Sequence, residues 1–333
     1  MIVAVICGGR SSEREVSLLS GAAVREGVEL AGHEVRMIEI DGEGRWLHEG
    51  SEVALSPGHG LLDADVVFPV LHGPFGEDGT IQGLLEMLDV AYVGCGVRAS
   101  AVCIDKLAFK QLIDHLSIPQ VPFVALTRSA YDADRAALEG QIAQLGLPLF
   151  VKPARLGSSV GIVRVADAAE LPAALEQAFT YDPRVIVEAA SAGIEVECSV
   201  LGTADAAEVS VAGEIVVLQS ASPGGWYDYE AKYTPGGMDL VVPARISALA
   251  AQRVRELAIR AFSESDCCGL ARADFFVDGN DVLVNELNTM PGFTSTSVYA
   301  RLWQESGLEY PDLCQRLLEI ALARHREQSG YRF

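Results

Sequence analysis

The sequence predicts an α/β fold in its first part and an antiparallel, strand-rich region in its last part. Two patterns indicate this. Apolar strand segments alternate with helical segments over the first third, as in a parallel sheet flanked by helices. The last third contains two neighbouring strand pairs, which is typical of antiparallel pairing. The length of 333 residues suggests two domains or three small ones, and half the residues are hydrophobic.

The first third carries the parallel α/β pattern. Met1–Cys7 is an apolar strand that is too short for a signal-peptide core and has no basic segment before it. The elements that follow are a helix over Glu15–Ala31, strands over His33–Ile40 and Val66–Leu71, and a helix over Gly79–Leu88. We therefore predict an N-terminal, Rossmann-like α/β domain over residues 1–95, which ends near Gly94-Cys95-Gly96.

The middle of the chain predicts a smaller unit over residues 96–188. It begins with a long helix from about Ser100 to His115. The further elements are strands over Phe123–Leu126, Leu149–Lys152, Gly161–Val165 and Arg184–Glu188, and helices over Ala136–Leu145 and Ala168–Phe179. A glycine-rich loop separates the second and third of these strands.

The last part, residues 189–333, predicts an antiparallel-sheet domain. Its elements are strands over Glu195–Leu201 and Ala207–Val217, a helix over Ala248–Ser263, a hairpin of Leu270–Val277 with Asp281–Leu287, and helices over Ser297–Gln304 and Pro311–Arg326. Ser220–Gly237 is a long polar loop with proline and glycine near both ends. Loops of this length in compact domains are usually functional lids or disordered segments. We expect a lid.

The composition excludes several function classes. The net charge of −21 argues against nonspecific nucleic-acid binding and against docking on an anionic membrane. No apolar run approaches the roughly 18 residues that span a bilayer. The seven cysteines show no C-x-x-C spacing, which predicts buried, reduced thiols and a cytoplasmic protein.

Lysine is rare in this chain. Of the 25 basic residues only four are lysines, at positions 106, 110, 152 and 232. Arginine therefore supplies the general surface charge, and each lysine is a candidate for a specific task. The alternative is that codon bias makes lysine rare and that the four remaining lysines have no specific task.

The predicted hairpin gathers polar residues on one face. Period-two alternation places Arg272 and Asp274 on the same face of the first strand, and Glu286 and Asn288 on the same face of the second. With a three-residue loop centred on Asn280, Asp274 lies opposite Glu286. Two carboxylates and an amide oxygen are hard ligands of the kind that suit Mg²⁺. The alternative is a solvated hairpin face with one salt bridge.

Three loops follow predicted strands and carry small or charged residues. Val151–Gly161 places Lys152 before a Gly/Ser turn, whose backbone N–H groups can cradle phosphate oxygens. Gly8–Glu15 opens a helix and contains Glu13, which could cap that helix or receive a substrate ammonium. His72–Gly79 also opens a helix. Neither a Walker loop nor a G-x-G-x-x-G dinucleotide motif occurs.

Taken in order, these segments resemble the signatures of the D-alanine–D-alanine ligase family, which has the ATP-grasp fold and serves peptidoglycan precursor synthesis. The resemblance runs from about residue 3 to residue 320. The matching motifs are G-G-x-S-x-E-R-E-V-S-L, H-G-x-x-G-E-D-G, D-K near residue 106, K-P-x-x-x-G-S-S-V-G, Y-D-Y-E-A-K-Y, R-x-D and N-E-x-N-T-x-P-G-x-T. Three of the four lysines fall inside them.

The resemblance implies an ATP site between the middle and C-terminal units. Phosphates would be approached by Lys106, Lys152 and the loop that contains Gly157, Ser158 and Ser159. Glu188 and the backbone near Ala190 would bind adenine, and Glu195 the ribose. The sequence departs from the family at Ala189-Ala190, where a basic–aromatic pair is more usual, and this departure concerns adenine stacking. Asp274, Glu286 and Asn288 match the ligands of Mg²⁺, or of Mn²⁺ in its place.

The resemblance also implies how two D-alanines are held. Glu13 would anchor the ammonium of the first, with His72 nearby in the substrate site. Arg272 and the Gly292 N–H would face the reacting carboxylate, and Ser297 with the Val298 N–H would hold the carboxylate of the second substrate. The lid would deliver Lys232 to the phosphates. Its Tyr233 would close onto Ser158 and Glu13 and would favour a dipeptide over a D-lactate product.

Two alternatives remain open at this stage. One is a related ATP-grasp ligase that takes D-lactate or D-serine as its second substrate. The other is a nucleotide-binding regulatory protein on a decayed ligase fold, although every magnesium and phosphate position of the family is filled here. The family is commonly homodimeric, so we expect a homodimer.

Overall fold

The computed structural model describes residues 1–218 and 236–332, which form three β-sheets with helices packed on them. The predicted lid falls largely in residues 219–235, and Lys232 and Tyr233 with it, so these predictions lie outside the described residues. The three sheets agree with the predicted order of a parallel α/β part, a small middle part and an antiparallel C-terminal part.

The N-terminal sheet is parallel at its centre. Strand β1 (Ile2–Gly8) lies between β2 (Glu34–Ile40) and β5 (Val66–Pro69) and pairs with both in parallel. Helices α1 (Arg14–Leu30) and α2 (Thr80–Leu88) belong to this part. Strand β1 is buried over almost its whole length, which explains its uninterrupted apolar sequence.

This sheet also has an antiparallel extension that the sequence pattern did not predict. Strands β3 (Trp46–His48) and β4 (Ser51–Glu52) continue the sheet beyond β2. They are two to three residues long and half-buried or exposed. Such short segments carry too little alternation to be recognised as strands.

The predicted continuous helix over residues 100–115 is wrong, because the structure has two helices there. Helix α3 (Val97–Ile104) ends and α4 (Lys106–His115) begins at Asp105, whose backbone is extended (φ −84°, ψ 98°). The Asp105 carboxylate accepts hydrogen bonds from the amides of Leu107 and Ala108, both at 3.1 Å, which is the role of an N-cap residue.

The middle part contains a four-stranded antiparallel sheet in the order β6-β9-β7-β8. Its strands are β6 (Phe123–Thr127), β7 (Leu149–Pro153), β8 (Val163–Val165) and β9 (Arg184–Ala189). Its helices are α5 (Arg128–Ala133), α6 (Arg135–Ala143) and α7 (Leu171–Phe179), the last preceded by a 3₁₀ turn over Ala168–Glu170. One face of the sheet packs Val151 and Val187 into a hydrophobic core, and the opposite face carries Lys152 and Glu188.

The C-terminal sheet is antiparallel throughout, as predicted, in the order β12-β11-β10-β13-β14. Its strands are β10 (Ile194–Thr203), β11 (Ala206–Val217), β12 (Met238–Val241), β13 (Gly269–Asp278) and β14 (Asp281–Asn288). Its helices are α8 (Ala248–Glu264), α9 (Val298–Glu305) and α10 (Tyr310–Gln328).

The hydrophobic cores join segments that are distant in sequence. Leu313, Leu317 and Leu318 of α10 lie in one core with Val3 and Val5 of β1. Helices α3 and α4 contribute to the core of the C-terminal sheet. The division of the chain at residues 95 and 188 stays a prediction.

The structure agrees with the predicted state of the thiols. All seven cysteines lie in the described ranges, and all are buried and unpaired. Within residues 1–218 and 236–332, no helix combines the length and the apolar character that crossing a bilayer requires.

Candidate functional site

The three parts of the chain meet at a cleft of about 650 Å³. Every predicted site residue that lies within residues 1–218 and 236–332 lines this cleft. The residues come from the helix starts of the N-terminal part, the polar face of the middle sheet and the β13–β14 hairpin. The fold therefore brings together side chains that the sequence places up to 285 residues apart, from Glu13 to Val298.

The hairpin pairs Asp274 with Glu286 and Arg272 with Asn288, as expected from the alternation. The turn is different from the three-residue loop that we assumed. Asp278 pairs with Asp281 across a two-residue turn, and the register shifts between Asp274 and Phe275. This irregularity is a β-bulge, which adds one residue to β14 and so turns Glu286 toward the face of Asp274.

Arg272 is anchored by carboxylates on both sides. Its Nε and Nη2 donate to the two carboxylate oxygens of Asp274, each at 2.7 Å, and its Nε lies 3.0 Å from Glu197 Oε2 on the adjacent strand β10. Glu197 is directly opposite Asp274 in the β10–β13 register. The guanidinium is thus fixed in orientation at the cleft wall, as a preorganised donor requires.

The donor set on this hairpin fits a magnesium ion. Asp274, Glu286 and Asn288 offer carboxylate and amide oxygens on one face, and the Asn288 amide nitrogen already contacts Asp274 Oδ2 at 3.0 Å. Among the described residues, no group of three or more His, Cys, Asp and Glu side chains could hold a metal. Two carboxylates and one amide leave coordination positions for waters and phosphate oxygens, which is the usual arrangement for Mg²⁺.

On the opposite wall of the cleft, Glu188 lies between two lysines. Lys152 Nζ donates to Glu188 Oε2 at 2.5 Å, and Lys110 Nζ lies 3.3 Å from Glu188 Oε1. Burial by itself would raise the pKa of Glu188, but the two ammonium groups outweigh it and lower this pKa below its ordinary value. Burial would lower the pKa of Lys152, whereas Glu188 raises it, and the net change is upward. The Glu188 carboxylate is therefore ionised.

Lys106 connects the loop that contains Gly157, Ser158 and Ser159 to the hairpin. Its Nζ donates to the Leu156 carbonyl oxygen at 2.7 Å and lies 3.8 Å from Glu286 Oε2. In the loop that follows, Ser158 and Ser159 both have positive φ angles, 51° and 58°. Successive residues in unusual backbone conformations can direct amide groups toward one point, as anion-binding loops do.

Glu13 is buried at the start of α1, and its side chain does not cap that helix. Instead it accepts a hydrogen bond from the Ser158 hydroxyl, which joins the N-terminal part to the loop after β7. A side chain at Gly73 or Gly157 would approach the Glu13 carboxylate within 2.4 Å or 3.1 Å. Of the two roles considered from the sequence, the cap is wrong, and a buried carboxylate facing the cleft remains.

His72 and Glu77 are buried near Glu13. They connect the N-terminal part to Met290, which lies two residues before Gly292. His72 Nδ1 donates to the Met290 carbonyl oxygen at 3.0 Å, and its Nε2 lies 3.1 Å from Ser20 Oγ. Burial lowers the pKa of His72, so the ring is neutral. Both ring nitrogens are thus engaged by the protein, which indicates that His72 orients this segment.

Glu77 is a buried acid in the same layer. Its Oε1 accepts the Gly73 amide at 2.7 Å. Burial, together with the nearby Glu13 carboxylate, raises the pKa of Glu77 to about 8. Glu77 is therefore largely protonated at neutral pH.

The residues expected to bind the second substrate lie at the start of α9. Ser297 is the N-cap residue, and Val298 is the first helical residue, so its amide points out of the helix end. Ser297 Oγ accepts the Thr294 amide at 3.0 Å. A side chain at Gly292 would contact Ser297 Oγ at 3.4 Å, so glycine keeps this corner of the cleft open.

At the far end of the cleft, the Ala190 amide donates to the Pro148 carbonyl oxygen at 3.1 Å. This N–H is therefore engaged within the protein, and Ala190 would meet a base through its carbonyl oxygen or methyl group.

Three residues in and around the cleft received no individual role from the sequence: Glu197, Lys110 and Glu77. Glu197 shares a strand face with Glu195, so period-two alternation counted from Glu195 could have found it. Lys110 follows Lys106 by one helical turn on α4, which is again a regular spacing. No local signal distinguishes Glu77, because its burial arises from contacts with distant segments.

Comparisons with known proteins identify the family of this chain. A model described as the D-ala D-ala ligase N-terminus matches residues 2–60 and 52–95, and one described as the D-ala D-ala ligase C-terminus matches residues 112–319. The D-alanine–D-alanine ligase of Mycobacterium ulcerans is 44% identical over 360 aligned positions, which cover 97% of this chain and 95% of the relative.

Two solved structures are similar over nearly the whole chain. The D-alanine-D-alanine ligase from Coxiella burnetii superimposes with a TM-score of 0.86 at 34% identity and covers 99% of this chain and 96% of its own. The VanG D-Ala:D-Ser ligase from Enterococcus faecalis has a TM-score of 0.85 at 36% identity, with 96% and 99% coverage. On this fold the predicted site residues that the structure describes meet in one cleft. Both family models and the full-length relatives show that this chain belongs to the D-alanine–D-alanine ligase family of ATP-grasp enzymes.

Proposed function

We propose that this protein joins two D-alanines to D-alanyl-D-alanine with ATP, through an acyl phosphate, for peptidoglycan precursor synthesis. The observation that carries the proposal is the convergence on one cleft. The anchored Arg272 and the acidic hairpin form one wall. Lys106 and Lys152 also line the cleft, and the buried Glu13 carboxylate lies at its N-terminal end. These are the groups that activation of a carboxylate by ATP requires.

The first step is phosphorylation of a carboxylate. A carboxylate is a poor electrophile, and phosphoryl transfer depends mainly on alignment and charge neutralisation. Glu13 would hold the ammonium of the first D-alanine, while Lys106 and Lys152 would approach the phosphates of ATP. Asp274, Glu286 and Asn288 would hold Mg²⁺, which would neutralise charge on the phosphates.

The second step is attack by an amine. The amine of the second D-alanine adds to the acyl phosphate carbon, an oxyanion forms, and phosphate leaves. Arg272 and the Gly292 N–H would donate to that oxyanion, a contribution of about 10²–10³ in rate for one donor. Ser297 and the Val298 N–H would hold the second carboxylate at the start of α9.

Phosphate release tests the proposal. The protein is incubated with ATP and Mg²⁺, and phosphate and dipeptide are measured with D-alanine alone, with D-alanine plus D-lactate, and with D-alanine plus D-serine. We expect stoichiometric phosphate and D-alanyl-D-alanine from D-alanine alone. A protein that binds ATP without releasing phosphate in any mixture would instead be a binding protein on a ligase fold.

The alternative is a related ligase that prefers a different second substrate. The similarity to the VanG D-Ala:D-Ser ligase supports D-serine as the alternative second substrate. That structure is as similar to this chain as the D-alanine-D-alanine ligase structure is. A mixed product that exceeds D-alanyl-D-alanine at equal substrate concentrations would support the alternative.

We further propose that the protein acts in the cytoplasm as a homodimer. Seven buried, unpaired thiols are consistent with a reducing compartment. Sedimentation equilibrium over a range of protein concentrations tests the dimer, and a monomeric mass at micromolar concentration would contradict it.

A further inference from the structure

Lys110 is the one lysine of the four that lies outside the family motifs. It lies on α4 one helical turn after Lys106, and 1% of its side chain is exposed. Lysine is among the residues least often buried to this degree, unless it is paired. Its burial therefore requires a specific partner.

That partner is Glu188. Lys110 Nζ lies 3.3 Å from Glu188 Oε1, and the Phe123 ring centroid lies 5.9 Å from the same ammonium. Lys152 Nζ holds the other oxygen, Glu188 Oε2. Glu188 lies on β9 diagonally from Lys152 on β7, because Phe150 is opposite Glu188 and Lys152 is opposite Ile186.

The two lysines are not equivalent. Lys152 lines the cleft, where phosphates are proposed to bind, and 11% of its side chain is exposed. Lys110 lies on the inner side of the carboxylate. A phosphate in the cleft can therefore reach Lys152, whereas Lys110 does not line the cleft.

We propose that Lys110 is a positioning residue that acts as the permanent counter-ion of Glu188, so that Lys152 can turn to the phosphates of the nucleotide. Without Lys110, Lys152 would be the sole ammonium on a buried carboxylate, and moving it would leave that carboxylate uncompensated. Breaking a buried ion pair in this way is strongly unfavourable. The inference rests on the proposed ATP-dependent function.

Nucleotide binding and a double-mutant cycle test the inference. ADP affinity is measured by calorimetry for the parent, Lys110→Met, Glu188→Gln and the double variant, and steady-state constants for ATP and D-alanine are measured alongside. We expect Lys110→Met to weaken ADP binding by at least about tenfold and to raise the KM for ATP, with the KM for D-alanine changed by less than about threefold.

The cycle separates a charge role from a packing role. In the Glu188→Gln background, Lys110→Met should change ADP affinity by less than about threefold, because no buried carboxylate remains to hold Lys152. An equal loss in both backgrounds, or no loss in the single variant, would overturn the inference.

Two controls keep the test decisive. If Lys110→Met does not fold, Lys110→Arg replaces it. That variant keeps the charge, so ADP affinity within about threefold of the parent supports the inference and a tenfold loss overturns it. Phosphate release by the parent is measured first. A parent that binds ADP but releases no phosphate refutes the proposed ligase activity, while the binding cycle still decides the role of Lys110.

Discussion

Buried carboxylates in the cleft differ in their charge because they differ in their neighbours. Glu188 is held ionised by two ammonium groups, whereas Glu77 faces the Glu13 carboxylate and is protonated up to about pH 8. Both are almost fully buried. Burial raises the pKa of both carboxyl groups. The sign of the nearest charged group decides whether this effect is offset, as at Glu188, or increased, as at Glu77.

We expect Glu286→Gln to reduce turnover by at least about 10²-fold while the fold is retained, because a metal site needs the carboxylate charge and the amide keeps the volume. Initial rates at limiting Mg²⁺ and circular dichroism check this. Asp281→Asn, an exposed position at the other end of β14, serves as the control. Near-parental rates for Glu286→Gln at limiting Mg²⁺ would remove Glu286 from the proposed metal site.

Glu13→Gln should raise the KM for the first D-alanine by about 10–150-fold, the value of a charge-assisted hydrogen bond of roughly 1.5–3 kcal/mol. The KM for ATP should change far less. Glu15→Gln on α1 is the matched control, because it makes the same change at a side chain that is 83% exposed. Equal effects of Glu13→Gln on both substrates would indicate a purely structural role.

Glu77 gives a pH dependence of stability with a defined sign. Its pKa is about 8 in the folded protein and near 4.5 when unfolded, so between these values the folded state binds more protons. The stabilising contribution is complete below about pH 4.5 and is lost as the pH rises to 8. Glu77→Gln lacks this titration, so its Tm should fall less than that of the parent between pH 5 and 8. Parallel Tm curves for the two proteins would contradict the assignment.

At the scale of elements, one aspartate divides a helical sequence. Asp105 caps α4 and also accepts a hydrogen bond from Arg184 Nη1 at 2.5 Å, across 79 residues of sequence. The cap sets where α4 begins and hence which face carries Lys106 and Lys110. The helix pattern of the sequence is continuous here, and the residue that interrupts it also has a partner at the start of β9.

Asp105→Ala should destabilise the protein by about 1–2 kcal/mol, because it removes the N-cap acceptor of α4. Asp105→Asn keeps an acceptor and loses the charge, so it should cost less. Denaturant unfolding followed by circular dichroism measures both variants. A loss for asparagine as large as that for alanine would show that the ion pair with Arg184, and not the cap, carries the stability.

The β13–β14 hairpin shows a second element-scale effect. Its two-residue turn, if continued as a regular ladder, would pair Asp274 with Asn285 and turn Glu286 to the opposite face. The bulge restores the pairing of Asp274 with Glu286. The predicted pairing was therefore confirmed, although the turn assumed for it was wrong. The assumed turn was one residue too long and the bulge was not foreseen, and these two differences in register cancel.

At the scale of the whole molecule, the last helix completes the first sheet. Leu313, Leu317 and Leu318 of α10 pack in one core with Val3 and Val5 of β1. The first and last segments of the chain are thus parts of one cooperative unit, and the N-terminal part would expose apolar surface without α10.

Leu317→Ala should therefore destabilise the protein by about 2–5 kcal/mol, the usual cost of a large-to-small change at a fully buried site. Leu249→Ala on α8 is the matched control, because 59% of Leu249 is exposed and the same change there should cost within about 0.5 kcal/mol. Thermal unfolding of both variants checks this. Similar Tm losses would show that α10 is not part of the N-terminal core.

Much of this protein could be predicted from its sequence, because local chemistry leaves local patterns. Period-two alternation identified the hairpin face with Asp274 and Glu286, and small residues after a strand identified the loop at Ser158. The order of the motifs indicated the family, which the family models and relatives confirmed. The roles of individual site residues, and those of Lys232 and Tyr233, stay predictions.

The tertiary structure decided what depends on partners distant in sequence. The break at Asp105 involves Arg184, and the burial of Lys110 requires Glu188 on another element. The core under β1 requires α10 from the other end of the chain. The burial of Lys110 and the core under β1 have no local pattern, because their energies arise from charge pairing and apolar burial between segments that meet only after folding.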